Sequence, residues 1–405
     1  MISGAALAAL LALPQEWPQF RGPDGQGHST VKALPLKWSD TSANVSWKVP
    51  IEGLGWSSPV LADGKIWLTT ATEGGRSLRT VCVDAKTGRE LLNVEVFKLD
   101  VPGRIHAKNS HASPTPVLDK DRVYVHFGPN GTACLSTEGK VLWKQVLKYE
   151  PVHGPGGSPA LHGDLLIVNC DGGDTQAMVA LDARTGALRW KAAREPNTYF
   201  KKFAFCTPLV IDVKGAPQVV SPAASGVSAY EPATGRPLWH VKYVGGYSVV
   251  PRPVYGHGLV FIGSGFDKPT LLAIRADGTG DVTDTHVAWR LESGAPLNPS
   301  PLLVDDELYV VSDSGIATCL DAKSGKVHWR ERLGGNFSAS PLHAAGRIYY
   351  LDEDGGTTVV KPGKTFAKLA RNEIKGRTFA SPLPIEGTLF LRTNTHLLRI
   401  EAESK

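Results

Sequence analysis

The chain is short of the chemistry that most readily betrays a function. Its 405 residues hold five cysteines, with no Cys-x-x-Cys, no adjacent pair and no haem-attachment motif. Cys82, Cys134 and Cys319 stand at equivalent places in a repeat (Val81-Cys82-Val83-Asp84, Ala133-Cys134-Leu135-Ser136, Thr318-Cys319-Leu320-Asp321). Equivalent places in separate repeats lie apart in space, so these thiols read as small buried hydrophobes and not as a disulfide framework. Cys170 and Cys206 are isolated. The opening run from Met1 to Leu13 is apolar but too short to span a bilayer. Residues 1–14 read as a signal peptide, which implies export, although the basic n-region and a clean cleavage site are missing. No lipobox cysteine follows. Charge of one sign is lacking too. The 44 basic and 39 acidic residues leave a net +5 and are interspersed, so there is no nucleic-acid-binding stripe. No carboxylate stands at metal-ligand spacing from His106 or His111. Gly154-Pro155-Gly156-Gly157 is followed by no helix and is no phosphate loop. Asp171-Gly172-Gly173-Asp174 lacks the later acidic ligand of a calcium loop and reads as a turn.

What the chain has in quantity is turns, with 43 glycines and 29 prolines. A short phrase recurs eight times: a small or hydroxyl residue, a proline, then an apolar run, with a Gly or Asp turn about five residues later opening a second run. The prolines are Pro59, Pro116, Pro159, Pro208, Pro253, Pro301, Pro341 and Pro382, spaced 57, 43, 49, 45, 48, 40 and 41 residues apart. A period in the forties with several strand-like runs per period predicts an all-β, eight-bladed β-propeller of four-stranded antiparallel blades. No linker interrupts it. We assign residues 44–405 to one propeller and residues 15–43 to an N-terminal extension.

Repeat six writes out one blade. Ser300-Pro301-Leu302-Leu303-Val304 is the inner strand, with proline at its start where no ladder donor is needed. Glu307 to Val311 and Ile316 to Leu320 follow as strands two and three. Asp321-Ala322-Lys323-Ser324-Gly325 is a tight hairpin, and Lys326 to Arg330 is the outer strand. The hairpin recurs at Asp84–Gly88, Asp182–Gly186 and Glu231–Gly235. Outer strands carry Trp143, Trp190, Trp239, Trp289 and Trp329, read as large hydrophobes docking between blades. Repeat one has Leu92 at that place. Residues 278–286 are an insertion, read as a surface loop. Repeat eight stops after three strands, and Asn44-Val45-Ser46-Trp47-Lys48-Val49 is the obvious donor of the fourth. The two ends are therefore expected to share a blade and close the ring.

The phrase Leu-Asp-Ala-x-Thr-Gly followed by Trp resembles the repeat of quinoprotein-type propellers. These include the pyrroloquinoline quinone (PQQ) dehydrogenases and the propeller lipoprotein of the outer-membrane β-barrel assembly machinery. Trp17-Pro18-Gln19-Phe20-Arg21-Gly22-Pro23-Asp24-Gly25, with His153-Gly154-Pro155-Gly156-Gly157-Ser158-Pro159 and Ser248-Val249-Val250-Pro251-Arg252-Pro253, is similar to the exported PQQ-binding-like propeller proteins of planctomycete-type bacteria. The resemblance covers residues 40 to 402. It implies a fold and, through its exported relatives, a periplasmic or otherwise exported location. It does not imply a bound quinone.

In a propeller the inner strands surround a channel and ligands sit at its mouth, so the segments leading into those strands are the place to look for a site. Lead-in two holds His106, Lys108, Asn109 and His111, and lead-in three holds His153. Lead-in four runs Tyr199-Phe200-Lys201-Lys202-Phe203-Ala204-Phe205, and lead-in five holds Tyr247 and Arg252. The last three offer Asn298, Asn336 with Phe337, and Arg377. Arg252 breaks a rule. The residue before the phrase proline is otherwise Ser58, Thr115, Ser158, Thr207, Ser300, Ser340 or Ser381. With Lys201, Lys202 and Arg377 it is expected to form a cationic funnel for a carboxylate, phosphate or acidic glycan; a partner acid in the next blade is the alternative. The first reading of function is a noncatalytic binding or scaffolding propeller, monomeric, with a protein partner or a small anionic ligand, no nucleic acid, no membrane span and no cofactor. A PQQ- and calcium-dependent dehydrogenase is the alternative. That resemblance would require acidic calcium ligands, a catalytic Asp and a stacking Trp, and the lead-ins show no acidic trio. A carbohydrate- or polyanion-active protein using the lead-in histidines and Tyr199 or Tyr247 is a third reading.

Overall fold

The computed structural model describes residues 16–196 and 198–402, so the assigned signal segment lies outside the described residues. Eight antiparallel blades surround a channel, seven of four strands and one of five. Blade six has the strands Leu302–Val304, Glu307–Val311, Ile316–Asp321 and Val327–Arg332, paired in that order from the channel outwards. Burial follows position. The second strand of blade three, Leu165–Asp171, is buried along its whole length, while the outer strand Leu188–Ala193 mostly faces solvent and buries Trp190. Continuous apolar runs thus mark the strands packed on both faces, as in any sheet covered on both sides.

The ring closes as the repeat count requires. Blade eight supplies Leu383–Ile385, Thr388–Arg392 and His396–Glu401, and Val45–Pro50 pairs with the last of these, Val45 opposite Ile400 and Pro50 opposite His396. No sheet edge opens between the first and last blades.

Every outer-strand tryptophan but one hydrogen-bonds into the following blade. Trp143, Trp190, Trp289 and Trp329 donate their indole N–H to Ala183 O, Pro232 O, Ala322 O and Gly363 O. Trp47 of the closing strand donates to Lys86 O of blade one. The hairpin glycine is the platform for the ring. Gly235 has φ +73°, and a Cβ there would lie 2.6 Å from the Trp190 ring, so the position excludes a side chain on both counts. The two halves of the repeat phrase, Thr-Gly and Trp, are therefore one contact written across neighbouring blades. The exceptions obey the same logic. Leu92 meets Gly139, the hairpin glycine of blade two. Blade five has no Asp-Ala-x-Thr-Gly hairpin, and Trp239 of blade four bonds Gln218 Oε1 of its own blade instead.

The insertion at 278–286 is not a free surface loop. Gly280–Asp281 pairs parallel to Pro237–Lys242, the outer strand of blade four, and makes that blade five-stranded. Val282 is buried behind it. The insertion covers an outer edge that has lost its usual tryptophan platform. Asp171 is likewise more than a turn residue, since Arg194 Nη2 lies 2.6 Å from its carboxylate in the interior. No helix among the described residues is long and apolar enough to cross a membrane.

Two outcomes are expected. Deleting residues 40–50 removes the closing strand, so the whole domain should melt at a markedly lower temperature; a deletion variant that melts like the intact chain would show that closure is dispensable. His126 is fully buried against Thr132 Oγ1, and burial pulls its pKa from the ordinary 6.5 down to about 4. Its contribution is present above pH 6.5 and is lost as pH falls towards about 4, a drop of roughly 3 kcal/mol. His126→Gln should flatten that part of the stability–pH curve, as measured by urea unfolding at each pH.

Candidate functional site

An inner strand has a partner on one side only. Its other edge faces the channel with backbone groups that need partners. Two devices supply them. The first is a belt of hydroxyls at the residue before each phrase proline. Ser58 N donates to Thr115 Oγ1, Thr115 N to Ser158 Oγ and Ser158 N to Thr207 Oγ1. Across the ring, Arg252 N donates to Ser300 Oγ, Ser300 N to Ser340 Oγ, Ser340 N to Ser381 Oγ and Ser381 N back to Ser58 Oγ. The eighth link, from Thr207 to residue 252, has no hydroxyl to receive it.

The second device is the N-terminal extension, which runs through the channel as a strap. Trp17 exchanges both backbone hydrogen bonds with Leu61, and Leu118 N donates to Pro18 O. Tyr255 N donates to Gln26 Oε1, His28 Nε2 meets Leu303 O, and His343 exchanges backbone bonds with Gly27 and Ser29. Each of these inner-strand residues stands two after its phrase proline. The strap then leaves along blades seven and eight, where Lys32 N and Ala33 N donate to Glu386 and Trp38 N donates to Asn372, before it becomes the closing strand.

Arg252 belongs to this strap. Its guanidinium, 2% exposed, donates to Phe20 O at 2.6 Å and to Gln19 Oε1 at 3.2 Å. Gly25, at φ +70°, passes so close that a Cβ would lie 2.5 Å from Arg252 Nη1. Arg21 is buried beside it and donates to Pro301 O and Gln26 O. Burial pulls the Arg21 and Arg252 pKa values down to about 9 and about 10, which leaves both charged at neutral pH. Neither has a carboxylate within ion-pair distance among the described residues, although Asp24 lies near enough to favour both charges.

Above the strap lies a cavity of about 340 Å³, lined by residues from all eight blades and by Phe20 of the strap. All seven belt hydroxyls line it. So do Trp56, Phe205, Tyr247, Phe266 and Phe379, with Trp56 and Phe379 edge to face at 4.4 Å. No Asp or Glu is among its lining residues.

Of the residues singled out in the sequence, His106, Lys108, His153, Tyr247 and Asn298 line this cavity. His106 and His153 are 5.1 Å apart, and burial, then His106, lowers the His153 pKa. Lys108 reaches over to blade seven and pairs with Glu353 at 2.8 Å. Asn298 is held by Asp313. The cationic funnel is not assembled. Lys201 pairs with Asp267 at 2.9 Å and sits over the Tyr247 ring, Arg377 lies over the Phe379 ring at the rim, and Arg252 is sealed in the strap. Lys202 and Asn336 lie outside the cavity lining. His111 packs on Gly75 and bonds Gly103 O, outside the cavity lining. The belt itself was visible in sequence as the Ser/Thr before each proline, but it served there only to expose Arg252 as the exception.

Comparison with known proteins bears on this architecture. The family described as outer membrane protein assembly factor BamB matches residues 29–221 and 223–364. The chain belongs to this family. A BamB of Shewanella oneidensis is 24% identical over 225 residues, which is 52% of each chain. The chain spans about half or less of the length of the curated relatives it matches. The crystal structure of BamB from Moraxella catarrhalis superposes with a TM-score of 0.62 at 15% identity, covering 87% of this chain and 98% of that one. A europium-containing methanol dehydrogenase superposes at 0.67 with 11% identity over 96% and 89%. At these identities the structures share the fold alone. Among the described residues, the cavity lining lacks the carboxylate donors of a calcium–quinone centre. It offers hydroxyls and rings where such a centre needs carboxylates, and the described residues hold no cluster of three or more metal-binding side chains.

Arg252→Ala should free residues 17–28 from the channel. Hydrogen bonds to a charged group contribute about 1.5–3 kcal/mol each, so amide protection of Trp17 and Leu61 in hydrogen–deuterium exchange should fall by roughly tenfold or more. Unchanged protection would mean that the backbone pairs alone hold the strap.

Proposed function

We propose that the protein is an exported, noncatalytic binding propeller that works as a scaffold, using the mouth end of its channel to hold a protein partner at the rim and an anionic ligand within. The observation that carries this reading is an apolar crescent. Of the nine exposed large hydrophobics among the described residues, six (Leu54, Val101, Val146, Val152, Phe200 and Val244) stand on the lead-ins to blades one to five, and the other three lie on outer strands. Val101, Phe200 and Val244 are about four-fifths exposed, at 82%, 78% and 81%. Scattered single hydrophobics need no explanation, but a run of them on one rim marks an interaction surface. The relatives' name, outer membrane protein assembly factor, supports both export and a role in assembly. The cavity has no lining carboxylate to pair with His106 or His153 as general acid and base, and the acids at its rim are held by Lys108, Asn298 or Lys201.

A photo-crosslinking amino acid placed at Phe200 or Val244 in the native cell should trap one discrete partner. The same group at Lys214, exposed on a turn at the opposite end of the blades, should not. Equal labelling from both ends, or none from the rim, would overturn the scaffold reading.

A further inference from the structure

The belt has a property that ring stability does not require. Each hydroxyl oxygen accepts a backbone N–H, and a hydroxyl still carries one proton of its own to donate. Ser340 gives its proton to Ser300 Oγ. Among the described residues no protein acceptor takes the protons of Ser58, Thr115, Ser158, Thr207, Ser300 or Ser381. All six side chains are buried, and all line the same cavity. The base of the cavity is therefore an arc of converging O–H donors with no acceptor built in. No acid lines the walls to compete for them. Beneath the arc sit the two buried guanidinium groups of Arg21 and Arg252, and at blade eight a third, Arg392, bonded to Ser57 O and Thr69 O. None of the three has an ion-pair partner among the described residues. Donors facing in and unpaired positive charge behind them favour an acceptor-rich, negatively charged head group. Above the arc the walls are aromatic: Trp56 with Phe379 on one side, and Phe205, Tyr247 and Phe266 on the other.

We propose that this cavity binds a small aromatic monocarboxylate head-down, the carboxylate taking hydroxyl protons from a contiguous part of the belt and the ring lying between Trp56 and Phe205. The inference rests on the binding reading above and names the ligand class for its inner site. One negative charge fits and several do not. Among the described residues Lys108 is the only Lys or Arg lining the cavity and already pairs with Glu353, while the three arginines act from behind the wall. A carboxylate has about four acceptor sites, so four of the six protons suffice. The volume of about 340 Å³ suits one or two fused rings.

The test is calorimetry on the full chain with 1-naphthoate, its uncharged amide 1-naphthamide, inorganic phosphate, and PQQ with calcium. We expect 1-naphthoate to bind. The amide should bind roughly tenfold or more weakly, because it loses the charge-assisted hydrogen bonds. Phosphate should also bind more weakly, because it has no ring to stack. Thr207→Val should weaken 1-naphthoate by roughly tenfold. Because Val also removes an acceptor for Ser158 N, the comparison of acid with amide on the unaltered chain stands independently of how well the variant folds. No heat with 1-naphthoate at millimolar concentration, equal affinity for the amide, tighter binding of phosphate, or tighter binding of PQQ with calcium would each overturn the proposal. Rim crosslinking from Phe200 that persists in Thr207→Val, alongside a failure of 1-naphthoate to bind, would sink the ligand class and leave the scaffold reading standing.

Discussion

The structure turns on the unpaired inner edge. Closing eight blades into a ring buries the faces between neighbouring blades and seals the first-to-last seam, but it leaves eight short strands with one side unpaired around the channel. Water would satisfy those groups at the cost of a wet core. This chain instead spends one small hydroxyl in seven of its eight blades, and a length of its own N-terminus. The belt makes the blades interdependent, since each inner strand depends on a side chain of the next blade. The strap adds a second layer of bonds three residues further along, on five of the blades. Arg252 sits where the two devices meet. It gives up the eighth hydroxyl and holds Phe20 and Gln19 in exchange.

Charge is arranged to match. The interior near the channel is cationic, through Arg21, Arg252 and Arg392, and these bond backbone carbonyls where a carboxylate would be usual. Carbonyl dipoles compensate a buried guanidinium less fully than an ion pair does, and the wall stays positive. The acids are kept outside it. Asp171 is locked by Arg194 between blades three and four, Asp352 by Arg371, and Glu353 by Lys108 and Ser338. The result is a pocket whose polarity is set by position and not by net charge, which at +5 over the whole chain conveys little.

The fold was legible because its rule is local and repeated. A phrase of proline, turn and apolar run predicts a blade wherever it occurs, and counting phrases counted blades. The missing eighth outer strand could be matched to Asn44–Val49 because Trp47 carries the repeat's own mark. The site was legible only in part. The lead-ins do meet in space, since His106, His153, Tyr247 and Asn298 line one cavity. But which lysines stay open depends on acids far away in sequence: Glu353 lies 245 residues from Lys108, and Asp267 lies 66 from Lys201. Periodicity carries no information about such pairs. The strap was invisible for the same reason. Trp17 to Gly27 has no repeat to align with, and its partners are scattered from Leu61 to His343. Arg252 was noticed because it broke a pattern, yet the pattern could not say on which side of the channel its side chain would lie.

The strap also sets an order of events. Residues 16–50 leave the ribosome before the blades, but most of their partners come much later: Arg252, Leu303, His343, Asn372 and the strand His396–Glu401. Until the final blade exists, the N-terminal stretch has little to fold against. The contacts that seal this ring are among the longest-range in the chain, and contacts of that kind form late. The leading segment therefore stays extended and available while the blades behind it take shape. If the chain crosses a membrane before folding, as proposed above, a head that cannot dock early cannot jam the passage.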